Sequence, residues 1–163
     1  MTSRQLWKLD ERKYLTSREV ERLRATSVER ATRGAASDIV GWMLIDLALH
    51  TGLRVAEVAA LKVGDMLLED RRQSLLIRRG KGGKSRSVTV GPELVEHVHG
   101  FITWKQAAGE PLGADSPFFW SSRSRGAFSR RYLQKLFKEV ASAAGLAPDV
   151  SIHCLRHTYG IHL

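Results

Sequence analysis

Between Ile39 and Leu49 the chain is apolar on nearly every side of a helix: Ile39, Val40, Trp42, Met43, Leu44, Ile45, Leu47, Ala48 and Leu49 leave no continuous polar face. A helix of that kind is central and buried. Ser37-Asp38 predicts its cap, and Thr51-Gly52 its end after about His50, because glycine takes the left-handed conformation that closes a helix. Ahead of it, Thr16-Ser17-Arg18-Glu19 has the form of a capping box and opens a short helix through about Ala25, with Val20 and Leu23 facing inward. A further helix is expected over about Val55 to Leu61, with Val58 and Leu61 inward, which puts Arg54 at a junction between helices.

After Lys62-Val63-Gly64-Asp65 the period changes from helix to strand. Met66 to Leu68, Ser74 to Arg78 and Arg86 to Val90 are short runs rich in Leu, Ile and Val, separated by turns at Glu69-Asp70 and Gly80 to Lys84. They predict a three-stranded antiparallel meander. Pro92 suits a first helical position and starts a helix to about Ala107. A loop with Gly109, Pro111, Gly113 and Pro117 leads to Phe118-Phe119-Trp120, a short buried strand or anchor. Ser129 caps a helix with Leu133, Leu136, Phe137, Val140 and Ala144 at helical spacing, ended by Gly145. From His153 another helix begins and is still helical at Leu163, so a further C-terminal part is expected, with Leu155, Ile161 and Leu163 left partly uncovered. The fold class is α+β, mainly α, with one small three-stranded antiparallel sheet. Residues 1–14 read as a tail or linker and 15–163 as a single domain without internal repeats.

Composition narrows the function classes. The chain has 163 residues, 43% of them hydrophobic, which suits a buried core. No apolar run approaches the roughly 18 residues of a membrane span, so no membrane partner is expected. The one cysteine, Cys154, excludes an internal disulfide and points to a reducing, cytoplasmic setting. The net charge is +9, and its distribution says more than its sum. Arg71, Arg72, Arg78, Arg79, Lys81, Lys84 and Arg86 fall in one window without an acid, and Arg123, Arg125, Arg130, Arg131, Lys135 and Lys138 in another. Such clusters attract a polyanion and bind it with a salt dependence set by counterion release. Arg78, Arg79, Lys84, Arg86, Arg123, Arg125, Arg130 and Arg131 are the candidate nucleic-acid contacts, with a solvated basic face as the alternative.

Three motifs carry the chemistry. Thr51-Gly52-Leu53-Arg54-Val55-Ala56-Glu57 and Ile152-His153-Cys154-Leu155-Arg156-His157-Thr158 each present an arginine at or on a helix, and between them Arg79-Gly80-Lys81-Gly82-Gly83-Lys84 sets a lysine in a glycine turn. Two guanidinium forks can hold one phosphate from two directions. His153 and Arg156, three apart, project to one side of a helix. Taken singly, either arginine reads as a structural or surface residue, and the turn as a solvated one. His153, Cys154, His157 and His162 are a poor zinc set, since adjacent residues point apart on a helix; neither a metal nor a cofactor is expected.

Arginine, hairpin lysine, then His-x-x-Arg, in that order over roughly Leu15 to Leu163, resembles the catalytic domain of the tyrosine recombinases, the phage integrase family that cuts and rejoins DNA strands. The resemblance implies the DNA breaking-rejoining enzyme fold and double-stranded DNA as partner. It further implies that Arg54 and Arg156 clamp the scissile phosphate and that Lys81 protonates the leaving 5′-oxygen, with Lys84 a second candidate. His153 would bond or accept a proton beside the phosphate, Glu57 would orient its neighbours, and His157 would pack or hydrogen-bond. Glu57 as an ordinary exposed helix glutamate stands as the alternative. The family's nucleophilic tyrosine follows the arginine by about 30 residues, beyond Leu163; Tyr159 falls where the family has an aromatic core residue, and Tyr14 and Tyr132 fall in no motif. The chain is therefore expected to bind DNA without cleaving it. Full-length relatives assemble as tetramers on DNA, and this chain is expected to be monomeric or weakly self-associating. A non-catalytic DNA-binding or regulatory relative is the alternative, and a basic RNA-binding protein a weaker one.

Overall fold

The computed structural model describes residues 14–69, 71–78 and 83–161, without the side chains of the last two. Its elements in chain order are helices α1 (Ser17–Thr32), α2 (Ala36–Thr51) and α3 (Val55–Ala59), a 3-10 turn (Val63–Asp65), strands β1 (Met66–Leu67), β2 (Ser74–Ile77) and β3 (Arg86–Thr89), helix α4 (Pro92–Ala107), strands β4 (Trp120–Ser121) and β5 (Gly126–Ala127), and helices α5 (Arg130–Ala143) and α6 (Ile152–Ile161). They group into two compact units, one running to Arg54 and resuming at Gln134, the other Val55–Leu133.

In the first unit α2 packs against both α1 and α6. The all-round apolarity of α2 has the expected result: Val40, Met43, Leu44, Ile45, Leu47 and Ala48 are all buried. Gly41 lets the side chain of Val140 on α5 come within 3.4 Å of where a Cβ would stand. The capping box at Thr16 and Glu19 is present in both directions. Three expectations are corrected here. The first helix continues past Ala25 to Thr32, because Leu23, Ser27 and Ala31, four residues apart, carry its buried face onward. Ser37-Asp38 does not cap α2; Ala35 holds that position without a side-chain bond, and Asp38 accepts from Arg30 Nε at 3.0 Å. Leu155, expected partly uncovered, is fully buried, while the side chains of Ile161 and Leu163 lie outside the described residues. Leu15 N–H donates to Thr158 Oγ1 at 3.0 Å, fastening the chain that enters α1 to α6.

In the second unit the meander forms in the order β1-β2-β3. Its rungs run from Ser74 opposite Thr89 to Ile77 opposite Arg86, with Leu75 and Ile77 buried. Pro92 starts α4 after Gly91. Phe101, Phe118 and Phe119 form a tilted and edge-on aromatic cluster with centroids 5.0 to 5.7 Å apart; of the expected Phe118-Phe119-Trp120 segment the two phenylalanines are buried, and Trp120, half-buried, opens β4. Lys105, fully buried, donates to Glu110 Oε1 at 2.7 Å and to the Pro117 carbonyl at 3.4 Å. The pairing of Trp120–Ser121 with Gly126–Ala127 is a hairpin the sequence pattern does not announce, since two-residue strands have no room for alternation. Among the described residues no helix is long and apolar enough to cross a membrane.

Candidate functional site

The turn that presents Arg54 is built by Gly52. At φ 65° and ψ 19° it closes α2, its N–H donating to the Ala48 carbonyl at 3.0 Å. Thr51 donates its hydroxyl to the Leu47 carbonyl at 2.6 Å and accepts from Leu53 N–H at 3.4 Å. Arg54 leaves this turn half-buried. On α6, Arg156 donates Nη1 to the Gly52 carbonyl at 2.8 Å across 104 residues of sequence. The Tyr159 ring, one turn further along α6, lies against Gly52 so closely that a Cβ there would collide with it. The two arginine motifs thus meet at one backbone turn.

His153 is exposed one turn before Arg156, and its ring stands edge-on to His157, with centroids 4.4 Å apart and planes at 86°. Tyr14 also meets His157 edge-on, at 5.7 Å. Cys154, next to the exposed His153, is buried, with Ser151 N–H 3.4 Å from its sulfur. Among the described residues no group of three or more His, Cys, Asp or Glu could hold a metal ion. In the same unit His50 hydrogen-bonds Asp46, its Nδ1 lying 3.1 Å from Oδ1, and this holds its pKa above the ordinary histidine value against the opposing effect of burial.

The remaining candidates belong to the second unit. Glu57 is buried on α3, which removes the exposed-glutamate alternative, and takes both ends of the Arg86 guanidinium at 2.5 and 3.1 Å. The hydrogen bond to Glu57 raises Arg86 above the usual arginine range. Arg78 donates Nε to Asp65 at 2.7 Å, and Asp65, also buried, accepts from Lys62 N–H as well. Lys84 is exposed, whereas Arg79 and Lys81 lie outside the described residues. Arg123 and Arg125 stand exposed on the β4–β5 turn, Arg125 at φ 57°. Arg130 and Arg131 are exposed in the first turn of α5, which Ser129 caps by accepting from Tyr132 N–H at 3.1 Å. Sequence reasoning missed Asp65 and Tyr14 as partners; only the spacing of Lys62 and Asp65 around a turn hinted at the first.

The profile of the Phage integrase family matches residues 13–163. The tyrosine recombinase XerC of Erythrobacter litoralis (strain HTCC2594) is 33% identical over 152 residues, 93% of this chain and 46% of that protein. XerC of Xanthomonas axonopodis pv. citri (strain 306) is 33% identical over 120 residues, 74% of this chain and 36% of that protein. Among solved structures, the XerA recombinase aligns with a TM-score of 0.71 at 27% identity, covering 91% of this chain and 48% of that one. The XerH site-specific recombinase in a post-cleavage complex with its difH substrate aligns with a TM-score of 0.73 at 25% identity, covering 90% and 40%. The chain spans less than half the length of each of these proteins. Two arginine motifs joined at one turn, together with a three-stranded meander in a mainly helical fold, agree with that match over almost the whole sequence: the chain belongs to the phage integrase family, the tyrosine recombinases.

Proposed function

We propose that this chain is the phosphate-binding part of a site-specific tyrosine recombinase, acting in DNA integration or recombination by strand cleavage and rejoining on double-stranded DNA. The observation that carries the reading is the bond from Arg156 Nη1 to the Gly52 carbonyl, two residues before Arg54. It brings the Arg156 guanidinium, a planar fork, to the turn from which Arg54 departs. Cleaving a phosphodiester needs positive charge at the non-bridging oxygens, a proton for the leaving 5′-oxygen and an in-line nucleophile. Arg54 and Arg156 supply the first, His153 assists beside them, and Lys81 supplies the proton. A tyrosine attacking phosphorus forms a 3′-phosphotyrosine as the 5′-oxygen departs, so the bond energy is retained and no cofactor is consumed.

Tyr14, Tyr132 and Tyr159 are not that nucleophile in this reading. Tyr159 packs on Gly52, Tyr132 stacks on Phe128 at 4.5 Å, and Tyr14 stands against His157. Residues 1–163 by themselves accordingly bind duplex DNA without forming the covalent link. The structural likeness to XerH, whose solved complex holds cleaved difH DNA, supports duplex DNA as the ligand.

The test is duplex binding across a salt series. Arg54→Ala and Arg156→Ala each lower affinity by about tenfold to a hundredfold, the range for a charge-assisted hydrogen bond. Each also lowers the slope of log affinity against log salt by about 0.9, one phosphate contact. Wild-type affinity and slope in both variants would overturn the phosphate clamp, and equal affinity for duplex RNA would favour the RNA-binding alternative.

A further inference from the structure

The hairpin whose sequence carries Lys81 is fastened at both feet. On the β2 side, Arg78 follows the last rung and donates to Asp65; on the β3 side, Arg86 forms the last rung with Ile77 and grips Glu57 through two nitrogens. The two acids come from different pieces of the unit, Glu57 from α3 and Asp65 from the end of the 3-10 turn. Their side chains are 7% and 1% exposed, while those of Arg86 and Arg78 are 40% and 54% exposed. Drawing either guanidinium off to a DNA phosphate would take a charge-assisted fork or bond away from a buried carboxylate, which is unfavourable. A fork on a carboxylate also fixes orientation as well as distance.

We propose that Arg78 and Arg86 are positioning residues that root the two arms of this hairpin, rather than contacts to DNA. Of the two, Arg86 ties the hairpin to the helix that follows Arg54. The strand ends on either side of residues 79–82 are thereby held to the 3-10 turn and to α3. This rests on the hairpin lysine of the proposed function.

The chain is compared with Arg86→Met, Arg86→Lys, and the reversed pair Glu57→Arg with Arg86→Glu. Without DNA, amide hydrogen exchange over residues 74–77 and 86–89 speeds up about tenfold in both single variants and returns toward wild type in the reversed pair. Lysine keeps the charge but cannot fork, so its failure separates positioning from charge. With duplex DNA, the single variants lose about threefold to tenfold in affinity, the scale of ordering lost at an interface, at an unchanged salt slope. Unaltered amide exchange in Arg86→Lys overturns the proposal. So does a slope lowered by about one in Arg86→Met with wild-type behaviour in Arg86→Lys, which identifies a phosphate contact. If Arg86→Met does not fold, Arg86→Lys and the reversed pair decide. A wild-type chain that ignores duplex DNA defeats the proposed function instead, and the amide exchange still judges the rooting.

Discussion

At Gly52 an L side chain meets two obstacles, a φ of 65° and the ring of Tyr159. Gly52→Ala is expected to lower stability by about 1–3 kcal/mol, since left-handed strain and overpacking act together. Thermal denaturation measures the loss, and Tyr159→Phe, which keeps the ring, should melt like wild type. The need for glycine at this position is legible in the sequence, because Thr51-Gly52 ends an apolar helical run. The ring that closes on it is not, since a contact between distant residues leaves no local pattern. The same limit applies to Glu57, whose spacing from Arg54 suggests a role but whose partner Arg86 sits on a strand 29 residues away. Leu155 shows the converse: the last helix considered alone predicts an uncovered side chain, and packing within the unit buries it.

Helix α2 carries its own pH dependence. In its last turn His50 sits on Asp46, which also faces Arg24 at 3.9 Å. The hydrogen bond to Asp46 outweighs both burial and the Arg24 charge, so the folded-state pKa of His50 lies above its ordinary value of 6.5. A raised histidine pKa contributes stability that is fully present below the unfolded value and is lost as pH rises through the folded one. Melting curves of wild type and His50→Gln should therefore differ most below about pH 6 and converge as pH rises through the folded-state value; a gap that widens with pH would contradict the assignment. Helix positions are largely legible from apolar spacing, and their ends less so. Ser27 looks like an interruption in α1, yet its hydroxyl bonds back to the preceding turn and the helix passes through it to end at Thr32. The β4–β5 hairpin is too short for any period to reveal, although its turn presents two of the candidate arginines.

For the whole molecule the net charge of +9 hides a difference between the two basic windows. Arg78 and Arg86 are matched internally by Asp65 and Glu57, whereas Arg123, Arg125, Arg130 and Arg131 stand exposed. Replacing those four with Gln should flatten the salt dependence of duplex binding by about 3 to 4 in log-log slope, near 0.9 for each phosphate no longer neutralised. A fall of less than about one would move the interface elsewhere. The molecule's internal linkages also differ in how a mutational history could treat them. The Glu57–Arg86 pair joins two side chains, so a lesion at one can be repaired by a second change at the other. Arg156 instead reaches for the main-chain carbonyl of Gly52, an atom every residue possesses and none can replace. A screen for second-site suppressors should therefore recover compensating changes for defects in the first linkage and none at position 52 for loss of Arg156, leaving reversion at position 156 itself as the route back.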